Sequence, residues 1–96
     1  MSQPLRIVQS SSFKKAVKKL HKNQKVDLDD AVRAIAGNPS LGIQKTGDLS
    51  TVQVYKFKMM KQLTLLAYQI DNGQLVLTLL LIGTHENFYR DLKLSL

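Results

Sequence analysis

The apolar residues of this 96-residue chain change their period once, and that change decides which folds are open to it. Between Phe13 and Ala36 they recur every three or four positions, and from Val52 onward every second position. Helical spacing followed by strand spacing means helices first and a sheet second, an α+β arrangement.

The elements can be placed from local signals. Leu5–Gln9 is short and β-prone and reads as a first strand. Ser10, Ser11 and Ser12 then offer helix N-caps, and Phe13, Ala16, Val17 and Leu20 make one apolar helical face. Asn23 and Gln24 interrupt that pattern, and Asp27 is expected to cap a second helix. Its stripe is Leu28, Ala31, Val32, Ile35 and Ala36, ended by Gly37 and Pro39. Residues 38–50 are rich in Gly, Asn, Ser and Asp and read as a loop.

Three strands follow. In residues 52–58, Val52, Val54, Lys56 and Lys58 share one face, and Gln53, Tyr55 and Phe57 share the other. Residues 61–70 form the next strand, and Asp71-Asn72-Gly73 predicts a hairpin, because those residue types tolerate positive φ. Residues 74–82 are apolar on both faces, as in a strand covered on both sides. Gly83 ends that strand, and Glu86–Leu92 has room for one or two helical turns. The expected architecture is one domain over residues 1–96. Two N-terminal helices pack on a four-stranded, mainly antiparallel sheet in the order β-α-α-β-β-β, with a short C-terminal helix. Tyr55 and Phe57 should face the helices, leaving Lys56 and Lys58 on an open face.

Composition narrows the chemistry. The chain has no cysteine, so it has no disulfide and no thiolate nucleophile or zinc ligand. With only His21 and His85, no metal site and no cofactor are expected. No apolar run approaches the roughly 18 residues that cross a bilayer, and the first residues lack a signal-peptide pattern. A cytoplasmic protein without a membrane or small-molecule partner is the expectation.

The net charge of +7 is local. Residues 1–26 carry Arg6, Lys14, Lys15, Lys18, Lys19, Lys22 and Lys25 and no acid, whereas residues 27–96 hold seven basic and seven acidic residues. The six lysines suit phosphate contacts, with salt-sensitive binding to RNA. A solvated helix face is the plainer role for them, and an acidic protein segment is a third possible match.

The order of elements, together with GDLSTVQVYKFK, LLAYQIDNGQLVLTLLLIGTHENFY and the double-helix start, resembles the RelE/ParE superfamily of bacterial type II toxins. The resemblance spans about Leu5 to Lys93. It implies a compact toxin encoded beside an antitoxin that wraps it. RelE-like members cut mRNA on the ribosome by driving a ribose 2′-hydroxyl onto the adjacent phosphodiester. ParE-like members inhibit DNA gyrase instead.

Carried over residue by residue, the resemblance implies that Lys56 and Lys58 bind phosphate and help the chemistry. Gly83-Thr84-His85 with Tyr89 is similar to the ending of YafQ-like members, where the histidine takes part in cleavage and the aromatic contacts RNA. Lys61 and Arg90 could join them as RNA-binding residues. The chain also departs from the pattern. The strand arginine of RelE-like members falls on Leu65, and a further histidine and aspartate of YafQ-like members fall near Met59 and Leu63.

Each residue also has a plainer role. Imidazole exchanges protons near neutrality, yet His85 could be a cap or a surface residue. Tyr89 and Phe88 compete to pack the terminal helix, so one should be buried and the other exposed. Lys56 and Lys58 would also serve as charged guards on an edge strand. Leu63 and Leu65, with Met59 or Met60, could form an apolar partner surface beside the site. Two readings follow: a ribosome-associated mRNA endoribonuclease that binds mRNA and ribosomal RNA, or a ParE-like gyrase inhibitor or silent antitoxin-binding module.

Overall fold

A computed structural model describes residues 5–45, 47 and 51–95. The elements are β1 (Arg6–Gln9), α1 (Ser11–Lys18), α2 (Lys22–Gly37), a 3-10 turn (Pro39–Leu41), β2 (Ile43–Gln44), β3 (Gln53–Met59), β4 (Gln62–Asp71), β5 (Val76–Gly83) and α3 (Phe88–Ser95). They build one mixed sheet of five strands, ordered β1-β5-β4-β3-β2. β2 to β5 are antiparallel neighbours, and β1 lies parallel to β5.

The expectation of four strands therefore needs correction. β2 is a fifth, inside the stretch read as a loop. It pairs Ile43 with Val54 and Gln44 with Gln53, and two residues are too few to show a period.

The helical half also shifts. Ser10 is the α1 N-cap: its hydroxyl accepts from the Phe13 N–H at 3.1 Å and donates to the Leu80 carbonyl at 2.6 Å, tying the helix start to β5. The second helix begins at Lys22, earlier than expected, with His21 as N-cap. Gln24 holds that end by accepting from the His21 N–H at 2.8 Å. Asp27 is thus inside α2 and caps nothing there. Its carboxylate accepts instead from the Met60 N–H at 2.8 Å, joining α2 to the β3–β4 turn.

Two apolar clusters sandwich the sheet. On one face α1 and α2 bury Phe13, Leu28 and Ile35 against Leu66, Tyr68, Leu77 and Ile82, with Tyr55 and Phe57 packed alongside as expected. On the other, α3 buries Phe88 and Leu92 against Val52, Val54, Leu65, Ala67 and Leu80. A bulge makes the second cluster denser. Ala67 pairs with Leu81 but Tyr68 pairs with Leu79, so Leu80 is the extra residue of β5 and joins the α3 side.

The turns show where local reading stops. Asp71 pairs with Val76, and its Oδ1 accepts from the Gly73 and Gln74 N–H groups at 3.0 and 3.1 Å. The hairpin is where it was expected, but positive φ falls on Leu75 (56°) and not on Asn72 or Gly73. Between β3 and β4, Met60 (φ 52°) and Lys61 (φ 72°) form a two-residue turn that usually requires Asn or Gly.

Tyr68 locks the end of α2 onto the sheet. Its hydroxyl donates to the Pro39 carbonyl at 2.6 Å and accepts from the Gly42 N–H at 2.9 Å. A Cβ at Gly42 would meet that hydroxyl at 2.6 Å, so this approach needs glycine. Burial pushes the Tyr68 pKa above the ordinary tyrosine value; the Gly42 bond opposes the shift, and nearby Tyr55 adds to it.

Candidate functional site

The α3 face of the sheet gathers the residues singled out for chemistry. Lys56 pairs with Leu65, and Leu65 pairs with Gly83, so these three form one row across β3, β4 and β5. Two strand spacings separate Lys56 from Gly83, roughly 10 Å. Lys58 lies two residues further along the same face, opposite Leu63. Both lysines are exposed, because α3 covers the Val52–Val54 end of the face and leaves the hairpin end open.

Beyond Gly83 the chain turns back through Thr84–Asn87, and Asn87 (φ 64°) sets the direction of α3. Asparagine tolerates that left-handed conformation better than most residues. The turn presents His85 to solvent at the mouth of the row. Four residues later, across that turn, Tyr89 shares its side, with ring centroids 5.9 Å apart and an interplanar angle of 76°. Phe88 is buried and meets Tyr89 edge-on at 5.3 Å, while Tyr89 stays partly open. The competition between these two rings is settled in favour of a packed Phe88.

Lys45 belongs to this group, although nothing in the sequence singled it out. It directly follows β2, and its N–H donates to the Val52 carbonyl at 3.0 Å. Its Nζ lies over the Tyr89 ring, 4.8 Å from the centroid. The only available signal was the alternation of Ile43 and Lys45, too short to recognise inside a loop.

Other candidates are dispersed. Lys61 occupies the tip of the β3–β4 hairpin, which extends about three residues, or roughly 10 Å, past the end of β5. Arg90 is exposed on α3, its Nε 3.8 Å from Asp91 Oδ1. Lys14, Lys15, Lys18 and Lys19 lie on or just after α1, exposed on the opposite side of the sheet. Lys22 and Lys25 belong to the first turns of α2 and not to the first helix. The lysine block is therefore two helix ends around a corner, remote from the row that carries Lys56.

Comparison with known proteins gives a consistent answer. A family description, the ParE-like toxin of type II bacterial toxin–antitoxin systems, matches residues 7–93. The chain belongs to that family of toxins. Its fold is similar to a double mutant of E. coli toxin RelE in the free state, with a TM-score of 0.72 at 16% identity, covering 97% of this chain and 94% of that one. The toxin–antitoxin complexes RelBE of E. coli (TM-score 0.69, 18% identity, 85% and 98% covered) and RelBE2 of Mycobacterium tuberculosis (0.67, 15%, 86% and 100%) are also similar. No curated protein sequence matches the chain.

Leu65 is fully buried beneath Phe88 and Leu92, in the row between Lys56 and Gly83. Met59 is likewise buried, on the helix side, so neither it nor Leu65 contributes to an apolar patch. Leu63 (49% exposed) and Met60 (53%) are what remains of the patch expected beside the site. Among the described residues no cluster of histidines and carboxylates could hold a metal ion, and no helix is long and apolar enough to cross a membrane.

Proposed function

We propose that this toxin acts in the cytoplasm as a metal-independent endoribonuclease on ribosome-bound mRNA. The observation that carries the reading is the juxtaposition of His85 with Tyr89 at one end of the row through Gly83, Leu65 and Lys56. In the proposed reaction a ribose 2′-oxygen attacks the adjacent phosphorus as its proton leaves. The bond to the 5′-oxygen then breaks, and that oxygen must be protonated. An imidazole at position 85 supplies one of these transfers. Lys56 and Lys58 stabilise the charge building on the phosphate oxygens, and Tyr89 holds the RNA by stacking. Lys61 and Arg90 extend the contact along the strand.

The lysines of α1 and α2 serve a separate purpose. Lys22 and Lys25 sit at the positive end of α2, whose first turn contains no acid. Cations there oppose the helix dipole, so their presence is more useful to binding than to folding. With Lys14, Lys15, Lys18 and Lys19 they suit docking on ribosomal RNA. A cognate antitoxin is the second proposed partner, as in the RelBE and RelBE2 complexes. Exposed Leu63 and Met60 offer it apolar contact beside the site.

One observation favours another reading. Leu65 fills the place of the strand arginine with buried apolar packing, which suits a ParE-like gyrase inhibitor or a silent antitoxin-binding module. Expression of wild type and His85→Ala in bacteria, with mapping of mRNA 5′ ends and of gyrase-dependent DNA breaks, separates the readings. Growth arrest with mRNA cuts that His85→Ala abolishes supports the ribonuclease. Arrest with DNA breaks and intact mRNA points to gyrase, and an absence of arrest to the silent module.

A further inference from the structure

We propose that Lys45 is a positioning residue that caps Tyr89 in the free toxin, yields the ring to a nucleobase, and then pairs with the phosphate beside that base. The proposal rests on the ribonuclease reading and adds to it a residue just after β2, apart from the strand that carries Lys56 and Lys58.

The geometry of the ring supports an exchange. Phe88 holds Tyr89 edge-on from within the core, and His85 flanks it at 5.9 Å. Phe88 cannot leave without opening the α3 cluster. Lys45 is different, because its backbone is anchored to Val52 while its ammonium reaches the ring on a flexible four-carbon stem. Of these three neighbours of Tyr89, Lys45 is the one that can swing away with its backbone in place.

Magnitudes favour the swap. A cation over an aromatic ring near solvent is worth about twofold to fivefold in an equilibrium. A base stacked on such a ring is worth about fivefold to 150-fold in affinity. The displaced ammonium remains tethered at the site, and a phosphate lies next to every stacked base. Pairing with it releases condensed counterions and adds to the gain. Lys45 would therefore shield the ring while the site is empty and contribute charge once RNA is bound.

The test uses the purified full chain and a 2′-O-methyl RNA oligonucleotide, which cannot supply the attacking hydroxyl. In the free toxin, NMR signals of the Lys45 side-chain methylenes should be shifted by the Tyr89 ring current, and Tyr89→Ala should abolish the shift. Saturation with the oligonucleotide should abolish it too, while moving the His85 and Tyr89 signals. Lys45→Met should flatten the slope of log affinity against log salt by about 0.7, the loss of one single-strand phosphate contact, and Lys45→Arg should restore it. A ring-current shift that persists while His85 and Tyr89 respond would overturn the role of Lys45 alone. Silence of His85 and Tyr89 at saturation would overturn RNA binding at this site, and the proposal with it.

Discussion

The two faces of the sheet are built to different ends. The α1–α2 face is closed: its helices bury Phe13, Leu28 and Ile35 and turn lysines outward. The α3 face is only half closed, because a single eight-residue helix covers the Val52–Val54 end and stops short of Lys56, Lys58 and Leu63. A short cover over one end of a sheet leaves a rigid floor whose remaining side chains are aimed by the strand period alone. That floor is where placed charges can act. The opposite face contributes stability and a diffuse positive field.

The largest expected effect divides the faces by activity. His85→Ala should lower RNA cleavage by about 100-fold to 10,000-fold, the usual range for losing a general acid or base. Because His85 is exposed, urea unfolding of the same variant should move by no more than about 0.5 kcal/mol. A variant that loses stability along with activity would mean that His85 serves the fold.

The next effect lies on the closed face and should have the opposite profile. Tyr68→Phe leaves the Gly42 N–H and the Pro39 carbonyl without their partner, a cost of about 1–3 kcal/mol. Cleavage by the folded fraction should be unchanged. The hydroxyl also gives stability a pH dependence. Its folded pKa is raised, so between the ordinary tyrosine value near 10 and the folded value the native state holds a proton that the unfolded chain has lost. The contribution is complete below about pH 10 and falls as pH rises through the folded value. Tyr68→Phe should flatten that alkaline loss of stability, measured by urea titration at several pH values.

The same division explains how much could be read from sequence. The helical stripes and the alternation from Val52 to Lys58 are repeated patterns, so the elements and the inward side of Tyr55 and Phe57 were legible. The parallel placement of β1 was not, because strand direction depends on where α1 and α2 carry the chain. Two apolar residues, Val52 and Val54, share a face with Lys56 and Lys58, which was a sign that something must cover half of it. The proximity of His85 and Tyr89 was expected from helical spacing, but the structure produces it across the non-helical turn through Asn87 that precedes α3. Lys45 and the true role of Asp27 were not legible, since each acts on a residue far away in sequence.

A smaller effect tests the link between the faces. Asp27 on α2 holds the backbone of the turn whose arm carries Lys58 and Lys61. Met60 and Lys61 are ill suited to their positive φ, so Met60→Asn with Lys61→Gly should stabilise the toxin by about 0.5–1 kcal/mol. For a chain of this size that corresponds to a rise of about 2–8 °C in Tm. The Asp27 bond is to the backbone and survives the change. If the pair instead destabilises the chain, the turn is held by side-chain contacts of Met60, and the arm is more firmly docked than its exposure suggests.

The smallest effect gives the clearest contrast, because its two readouts should move in opposite directions. Lys22 is the first residue of α2, where a cation faces the positive end of the helix dipole. Lys22→Glu should therefore stabilise the fold by about 0.3–1 kcal/mol, measured by urea unfolding at low salt, and the gain should shrink as salt is added. If the lysine block docks on ribosomal RNA, the same substitution should weaken binding to ribosomes and reduce the salt dependence of that binding. A fold that prefers Glu at this position and a binding surface that prefers Lys would show that the closed face accepts a local electrostatic cost for its partner. Unchanged ribosome binding would leave the lysines as a solvated surface, and the docking role would pass to the open face alone.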